Sequence, residues 1–364
     1  ELDAQLKAGE FILPLTFDGE DFLPVGTTRE LADGKVEISI HEIPEVKSEG
    51  RSILRALKMC FFKIALGQEQ NKLCWIEYVD GQPKYHDTGV KEKVASAKNI
   101  LLVIHGIIGN TTEMAAAMGR AISSKTVDLV LAYDYENLNT SIEANSGKLK
   151  IALEAVGIKP DKKGKLNKKF SILAHSMGGL VSRHFIEQLG GRAVVSKLIL
   201  AGTPSGGSNL SKLTKYRDTA MFLLPLAVNV GLAIPAIATI MGILKGSKSL
   251  TASLEQMDYD HPGHFLKNLE QSSDPKIPYY VLAGHLDLFL ETDNEAKRLV
   301  NKIFKNVANV FFDEPNDIAV GVDSIKHVPV KRKPAPVFFD VKCHHLNYFS
   351  LKESVDKIVD LLAA

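Results

Sequence analysis

The sequence has few cysteines and no excess of either charge, and both shortages exclude common classes of protein. Only three of the 364 residues are cysteines, and Cys60, Cys74 and Cys343 lack the paired spacing of a zinc site or a redox motif. We therefore expect reduced, structural thiols. Lys and Arg number 44 against 43 Asp and Glu, so no overall field attracts the chain to nucleic acid.

Neither the first residues nor the composition of the sequence is unusual. Its first ten residues, ELDAQLKAGE, have neither the basic nor the apolar region of a secretory signal peptide. We expect a cytoplasmic rather than a secreted protein on this basis, with the natural N-terminus left open. With 45% hydrophobic and 24% charged residues, the composition is that of an ordinary globular enzyme and excludes disordered and collagen-like classes.

Two kinds of hydrophobic periodicity divide the chain near residue 96. Apolar residues mostly alternate from 11 to 79, and Asp-Gly pairs at Asp18, Asp33 and Asp80 are typical of hairpin turns. Residues 52–66 fit either a helix that leads into a strand or a buried pair of strands. Since single cores stop growing at roughly 250–300 residues, we expect a small β-rich N-terminal domain over 1–95 and a catalytic domain over 96–364.

From residue 99 onward, short apolar runs alternate with helical stretches. The runs are ILLVIHG, VDLVLAYD, FSILAHS, SKLILAGTP and PYYVLAG. This alternation is the signature of βαβ units, in which helices cover both faces of a mostly parallel sheet. Residues 111–123 are predicted to form a helix between the first two runs, and a second helix is expected to start near Gly178.

The segment ILAHSMGGLVSRHF, residues 172–185, breaks from an apolar strand at Ser176 and opens a helix with small residues. It resembles the nucleophile elbow of α/β hydrolases, in which strand and helix meet too tightly for large side chains near the Ser. Gly178 matches that pattern, whereas Ala174 stands in place of the usual Gly. The resemblance implies that Ser176 is the nucleophile. An ordinary βα turn with a capping Ser is the alternative.

A second segment, LLVIHGIIGN, ends a strand in His105 and Gly106. It is similar to the oxyanion loop of bacterial lipases. That resemblance implies an oxyanion hole formed by the backbone N–H groups of Ile107 and Met177, and it makes His105 a residue that supports the loop. Two fixed donors matter here because the loss of one typically costs about 10²–10³ in rate.

The acid and the base of the site are expected after the nucleophile, in the order Ser, Asp or Glu, His. Residues 316–324, NDIAVGVDS, resemble the acid loop of bacterial lipases and place the acid at Asp317. Asp287 and Asp293 lie nearer the end of the PYYVLAG run and remain alternatives, and a simple turn-forming Asn-Asp pair is another.

The base is expected near the C-terminus, where VFFDVKCHHLNYF contains His344 and His345. The apolar Leu346 after His345 matches the family better, although His344 stays open. Adjacent residues of an extended segment point to opposite sides, so only one of the two can face Ser176. Some bacterial lipases bind calcium through an Asp soon after this His. Asn347 occupies that region here, which puts a calcium site in doubt.

The resemblance covers roughly residues 98–364 and implies an α/β-hydrolase fold: a mostly parallel central sheet with a helical cap or lid insertion. It implies a lipase-like ester hydrolase that works through an acyl-enzyme and needs neither a metal nor an organic cofactor. The same residues would serve an acyltransferase or a peptidase. A catalytically silent hydrolase fold that binds a membrane or a protein is a third hypothesis.

One long apolar stretch and two basic runs remain outside this scheme. Residues 219–244 contain no charged residue and could span a bilayer by length, but a span there would separate Ser176 from His345. We expect instead a cap or lid at about 209–260, with acyl esters or lipids as substrates and peripheral contact with a membrane. The basic runs at 159–169 and 331–333 lack interleaved aromatic residues, so nucleic-acid binding is not expected.

Overall fold

The computed structural model describes the chain in two units, which meet in sequence between Gln68 and Glu69. The first unit is described through the backbone of five strands. The described parts of the second are 72–107, 110–135, 140–162, 164, 168–208, 252–286, 314–317 and 319–364. The apolar segment 219–244 and most of the expected lid lie outside the described residues, as do Asp287 and Asp293.

The strands of the first unit are antiparallel. The order in a three-stranded sheet is β2 (Phe22–Pro24), β1 (Glu10–Phe17), β5 (Lys58–Ala65), and a separate pair joins β3 (Gly26–Glu30) to β4 (Val36–Ile40). The alternating pattern of this region therefore corresponds to strands. Residues 52–66, which fitted either a helix that leads into a strand or a pair of strands, contain β5.

The second unit is built on an eight-stranded sheet of order β13-β12-β11-β10-β8-β9-β6-β7. Its first two strands, β6 (Lys72–Val79) and β7 (Gln82–His86), form a hairpin whose turn residues Asp80 and Gly81 both have positive φ, 52° and 77°. Such a turn suits the twist of a hairpin. Because β6 pairs with β9, this sheet begins before residue 96, where we expected the catalytic domain to start. Alternation shows that a strand has one buried face, but not which sheet it joins.

The other six strands are parallel to one another. They are β8 (Asn99–Ile104), β9 (Leu129–Asp134), β10 (Lys169–His175), β11 (Lys197–Ala201), β12 (Tyr279–Gly284) and β13 (Val337–Val341). The five apolar runs of the sequence correspond to β8 through β12, which confirms the prediction of a mostly parallel sheet.

Helices follow most of these strands. In the described part of the chain they are α1 (Val90–Ser96), α2 (Thr112–Ser123), α3 (Ile142–Ala155), α4 (Met177–Gln188), α5 (Ala252–Gln256), α6 (Phe265–Glu270), α7 (Val322–Ile325) and α8 (Lys352–Ala363), and a 3-10 turn lies at Gly191–Ala193. Both helices predicted from the sequence, α2 and α4, are present. None of the helices in the described part of the chain has the length and apolar character that a membrane crossing requires.

Both faces of the sheet are covered. Leu101 and Val103 of β8 pack in one core with residues of α2 and α8, whereas Leu102 and Ile104, which point to the opposite face, are also fully buried. In the sheet, β9 lies on one side of β8 and β10 lies on the other, so the chain changes direction across the sheet after β9. The carboxyl ends of β8 and β10 therefore flank the point where the strand order reverses, which is where open α/β sheets form their sites.

Candidate active site

Ser176 lies in a strained turn between β10 and α4. Its φ is 51° and its ψ is −129°, a region of backbone space that non-glycine residues rarely enter and that costs about 1–3 kcal/mol. Two hydrogen bonds hold the turn: the Ser176 N–H donates to the Ala201 carbonyl at 2.9 Å, and the Gly179 N–H donates to the Ser176 carbonyl at 3.0 Å. Strain of this kind persists only where the surroundings impose it, and it is typical of functional sites.

Two glycines allow the end of β8 to approach this turn closely. A Cβ atom at Gly178 would overlap the backbone carbonyl oxygen of His105, and one at Gly106 would lie 2.6 Å from the Cβ of Ser176. A side chain at either position would push the loop after β8 away from the start of α4. The glycine two residues after Ser176 is thus required by this contact, as the elbow pattern implied.

His105 orients the peptide that follows Gly106. Its Nδ1 lies 2.7 Å from the Gly106 carbonyl oxygen, and its Nε2 is 3.3 Å from the Tyr135 N–H. A carbonyl only accepts, so Nδ1 carries the proton and Nε2 accepts. Burial lowers the pKa of His105 against the opposing effect of Asp134, which keeps the ring neutral. In a trans peptide C=O and N–H point in opposite directions, so this bond directs the Ile107 N–H away from His105.

Met177 is the other residue that the sequence predicts as an oxyanion donor. It is the first residue of α4 and is fully buried, and the first N–H groups of a helix have no partner within the helix. The contact of Gly178 with the end of β8 brings this helix start beside the Gly106–Ile107 peptide. The structure therefore places the two expected donor residues, Ile107 and Met177, on adjoining segments next to Ser176.

Asp317 is completely buried between four hydrogen-bond donors. Its Oδ1 accepts from the N–H groups of Ala319 at 3.1 Å and Val320 at 2.9 Å. Its Oδ2 accepts from His345 Nδ1 at 2.8 Å and from the Tyr348 hydroxyl at 3.0 Å. A buried charge needs such partners because an unpaired carboxylate would be very costly away from water.

The structure brings Asp317 together with His345. Besides the side-chain contact, the His345 N–H donates to the Asp317 carbonyl at 2.7 Å. Because a carboxylate accepts, the proton of a neutral His345 ring lies on Nδ1, and Nε2 has a free lone pair. This is the tautomer that a general base for a serine hydroxyl requires.

His344, the alternative base, has a different environment. Its N–H donates to Asn347 Oδ1 at 2.8 Å, and its Nδ1 accepts the Leu346 N–H at 3.2 Å. Burial lowers its pKa to about 4. These bonds close the tight turn after β13, and they leave the pairing with Asp317 to His345.

His175 links the turn of Ser176 to His345. Its Nε2 lies 2.9 Å from the backbone carbonyl oxygen of His345 and so donates to it, and the two rings are 4.7 Å apart between centroids. Burial, followed by the nearby His345, lowers the pKa of His175 well below its usual value. Since His175 directly precedes Ser176, this contact brings Ser176 and His345 to the same edge of the sheet. Nothing in the sequence indicated this role of His175.

Tyr348 and two glycines complete the surroundings of Asp317, and none of the three was predicted from the sequence. The Tyr348 hydroxyl contacts both Asp317 and the Gly284 N–H, and Gly202 packs against Asp317 and His345. Nothing in the sequence distinguishes Tyr348 from an ordinary core aromatic residue. Across the described segments, no group of three or more His, Cys, Asp and Glu side chains is arranged to hold a metal ion.

The sheet order, the strained serine turn after β10 and the buried His-Asp pair at the same edge together define an α/β-hydrolase fold. More specifically, the chain belongs to the family described as "Domain of unknown function (DUF7379)", whose model matches residues 74–363. A comparison with curated protein sequences gave no match.

Several solved structures are similar to this chain. The lipase BlEst2 of Bacillus licheniformis in mature form is 19% identical, with 74% of this chain and 94% of that chain covered and a TM-score of 0.44. A structure from a study of carboxylesterases of Nitrososphaera gargenis is 17% identical, with coverage of 73% and 90% and a TM-score of 0.44. Phospholipase PlaB of Legionella pneumophila is 12% identical, with coverage of 73% and 60% and a TM-score of 0.48.

Proposed function

We propose that this protein is a serine hydrolase that cleaves carboxylic esters, with Ser176 as nucleophile, His345 as general base and Asp317 as the acid that orients His345. One observation carries the proposal: the Nδ1 atom of His345 donates to a fully buried Asp317 at 2.8 Å, beside the strained turn of Ser176. A buried pair of this kind sets the tautomer of the base and stabilises its protonated form.

The first half of the reaction forms an acyl-enzyme. Ser176 Oγ attacks the ester carbonyl carbon while His345 Nε2 takes the hydroxyl proton. The imidazolium that forms is stabilised by Asp317, which stays ionised. His345 then gives the proton to the leaving alcohol as the ester C–O bond breaks, and the acyl group remains on Ser176.

The negative charge that develops on the carbonyl oxygen would be bound by the backbone N–H groups of Ile107 and Met177. The hydrogen bond from His105 to the Gly106 carbonyl supports this assignment, because it sets the direction of the Ile107 N–H before the substrate arrives. Preorganised donors stabilise the transition state without any reorganisation during the reaction.

Water completes the cycle. His345 takes a proton from the water molecule that attacks the acyl carbonyl, and the same two N–H groups bind the second oxyanion. As the bond between the acyl carbon and Ser176 Oγ breaks, His345 gives its proton to Ser176 Oγ, which releases the carboxylic acid and regenerates the Ser176 hydroxyl and a neutral His345. Every proton movement uses side chains of this chain, so the reaction as proposed needs no cofactor.

The substrates that fit this proposal best are lipid or other long acyl esters. The support comes from the uncharged segment 219–244, which we propose forms part of a cap or lid over the site at about 209–260 and makes peripheral contact with membrane lipid. An apolar cover would bind acyl chains by the area it removes from water, at roughly 25 cal/mol per Å². A nucleic-acid partner is not proposed.

The proposal is tested by labelling with a fluorophosphonate probe, in which Ser176 Oγ would displace fluoride from phosphorus, together with hydrolysis of p-nitrophenyl esters of increasing acyl length. We expect the wild type to be labelled and to turn over long esters faster than short ones, and Ser176→Ala to do neither. Ser146→Ala is the matched control, because the Ser146 hydroxyl is buried on α3 and has no hydrogen-bond partner.

Labelling that persists in Ser176→Ala would assign the nucleophile elsewhere and overturn the proposal. If the folded wild type is not labelled, the assay is repeated with detergent micelles, which would open an apolar lid. Absence of labelling there too would mean that the protein does not act as a serine hydrolase, and the hypothesis of a silent interaction module would then replace this one.

A further inference from the structure

The Tyr348 hydroxyl bridges the end of β12 and the acid of the site. It lies 2.6 Å from the backbone nitrogen of Gly284, the last residue of β12, and 3.0 Å from Oδ2 of Asp317. Tyr348 is fully buried and lies three residues after His345. A core aromatic residue would need only one partner for its hydroxyl, whereas this one has two.

The direction of both hydrogen bonds follows from the groups involved. The Gly284 N–H can only donate, so the Tyr348 oxygen accepts from it. An ionised carboxylate can only accept, so the single phenolic proton of Tyr348 is directed to Asp317 Oδ2. Burial and the charge of Asp317 raise the pKa of Tyr348 well above its usual value, and the phenol therefore keeps this proton throughout the working pH range.

The space around these groups is shaped for this arrangement. A Cβ atom at Gly284 would lie 2.7 Å from the Tyr348 hydroxyl, and one at Gly202 would lie 2.8 Å from Asp317 Oδ2 and 3.1 Å from His345 Nδ1. Gly202 also has φ of 58°, where a side chain is strained. The ends of β11 and β12 thus carry no side chain where the hydroxyl, the carboxylate and the imidazole meet.

Tyr348 and His345 share one oxygen atom of Asp317. The backbone donors of Ala319 and Val320 hold Oδ1, so the negative charge on Oδ2 is divided between the phenol and the imidazole. A stronger donor at Tyr348 leaves less of that charge to attract a proton onto His345, and a missing donor leaves more. Tyr348 thereby acts on the base through the acid.

We propose that Tyr348 is a positioning residue of the site: its hydroxyl holds Asp317 Oδ2 in line with His345 Nδ1 and adjusts how strongly Asp317 draws a proton to His345. This inference rests on the proposed function, because it concerns how the acid and the base of that reaction are aligned. Because Tyr348 is fully buried, we expect it to make no contact with the substrate, and its removal should lower kcat and leave KM unchanged.

The other titratable groups around the pair stay the same in the variants proposed below. They are His175 and His105 on the strand ends, Asp134 beside His105 at 3.7 Å, and Cys343 and His344 in the turn after β13. Burial lowers the pKa of each of the three histidines and raises the pKa of the Cys343 thiol. We therefore attribute a change in the pH profile to the Tyr348 hydroxyl.

The test measures the rate of fluorophosphonate labelling and ester hydrolysis against pH in wild type and Tyr348→Phe. We expect kcat to fall about tenfold, the effect of losing one hydrogen bond to a charged group, and the pH midpoint of the acid limb to move upward. Tyr133→Phe is the matched control, because Tyr133 is equally buried and its hydroxyl has no partner; its profile should equal that of the wild type.

A second variant tests whether the Tyr348 hydroxyl aligns Asp317 with His345 or whether the Tyr348 ring only fills space. This test does not depend on whether Tyr348→Phe folds. Incorporation of 3-fluorotyrosine at position 348 keeps the hydroxyl but makes it more acidic and a stronger donor. We expect the midpoint to move downward, opposite to Tyr348→Phe. If the role of Tyr348 is purely structural, Tyr348→Phe would lower activity, but the pH midpoint of the acid limb would be unchanged in both Tyr348→Phe and the 3-fluorotyrosine variant. That result would overturn the inference.

The outcomes for the inference and for the proposed function are distinct. If the wild type is not labelled at Ser176, the proposed function fails before Tyr348 is considered. If the wild type is labelled and both Tyr348 variants keep its kcat and its midpoint, the function stands and the role of Tyr348 is refuted.

Discussion

Gly178 lies against the backbone carbonyl of His105 so closely that a Cβ atom at Gly178 would overlap the carbonyl oxygen. The distance between α4 and the end of β8 is therefore set by the absence of a side chain. Both expected oxyanion donors, Ile107 and Met177, lie on these two segments.

We expect Gly178→Ala to lower kcat by about 10²-fold, the effect of losing one oxyanion donor, because α4 and the loop after β8 must move apart. The measurement is the rate of ester hydrolysis, with thermal unfolding followed in parallel. Gly147→Ala is the control, since Gly147 lies inside α3 with open space around it. That change should raise the free energy of unfolding by about 0.5–1 kcal/mol and leave catalysis unchanged. Equal rates in Gly178→Ala and wild type would refute the close-contact argument.

Asp317→Asn is expected to reduce kcat by roughly 10⁴. The reason is specific to this site: all four hydrogen bonds of Asp317 come from donors, so the amide NH₂ of Asn faces two donors in either orientation. The His345 ring would lose the carboxylate charge in either orientation, and with the NH₂ toward it the ring would also lose the acceptor that sets its tautomer. The measurement is the rate of labelling and of ester turnover.

The exposed Asp323 of α7 offers a matched control for this substitution. Asp323→Asn removes a carboxylate six residues after Asp317 that is exposed rather than buried among hydrogen-bond donors. We expect this variant to have wild-type rates. Loss of a triad acid lowers kcat roughly 10⁴-fold. If Asp317→Asn keeps more than about a tenth of the wild-type activity, Asp317 is not the acid.

Glu187 forms a buried ionic cluster that we expect to stabilise the fold rather than to take part in catalysis. It accepts from Arg183 Nε at 3.0 Å and from Arg332 Nη1 and Nη2 at 2.8 and 2.6 Å. Burial alone would raise the pKa of Glu187, but these guanidinium groups outweigh it and lower the pKa below its usual range. Glu187 thereby ties α4 to the segment that precedes β13.

Glu187→Gln should lower the free energy of unfolding by about 3–5 kcal/mol, because it removes the carboxylate to which both buried guanidinium groups are hydrogen-bonded. Urea denaturation measures the change. Glu154→Gln is the control: Glu154 is half-exposed, 4.0 Å from Lys150 one turn earlier in α3, and its loss should cost less than about 0.5 kcal/mol. A similar small cost in both variants would contradict the assigned role of the cluster.

His344 is expected to make stability depend on pH. Burial lowers its pKa from 6.5 to about 4, so the unfolded chain takes up a proton at a higher pH than the folded protein does. The contribution of His344 to the free energy of unfolding should be constant above about pH 6.5. As the pH is lowered from about 6.5 to about 4, the free energy of unfolding should fall by up to about 1.4 kcal/mol per pH unit.

Urea denaturation across this range measures the slope in wild type and in His344→Asn, where the side-chain oxygen can still accept the Leu346 N–H. The slope should decrease but not vanish, because burial lowers the pKa of His175 and His105 in the same direction. An unchanged slope would mean that His344 is not a source of the pH dependence.

Local patterns predicted most of the sheet. Five apolar runs became parallel strands, and the helix after Ser176 begins one residue after it, since strand burial and small residues at a tight turn leave marks within a few residues of chain. The same reasoning misplaced the edge of the sheet at β6 and β7, because alternation in a short strand does not identify its neighbour.

The site was only partly predictable for a similar reason. The motifs named Ser176, Asp317 and His345, but they left His344 open as the base and offered no sign of the contacts of Tyr348 or His175. A hydrogen bond between side chains distant in sequence leaves no local pattern. Tyr348 differs from other core tyrosines only in the partners of its hydroxyl, Gly284 and Asp317.

The sequence by itself determined the parallel strands, the glycine behind Ser176 and the order of the candidate residues along the chain, because each depends on backbone conformation and burial over short distances. The tertiary structure alone decided that Asp317 meets His345 and Tyr348, which lie 28 and 31 residues further along the chain. These groups come together only because β12 and β13 lie side by side, with the loops that follow them at one edge of the sheet.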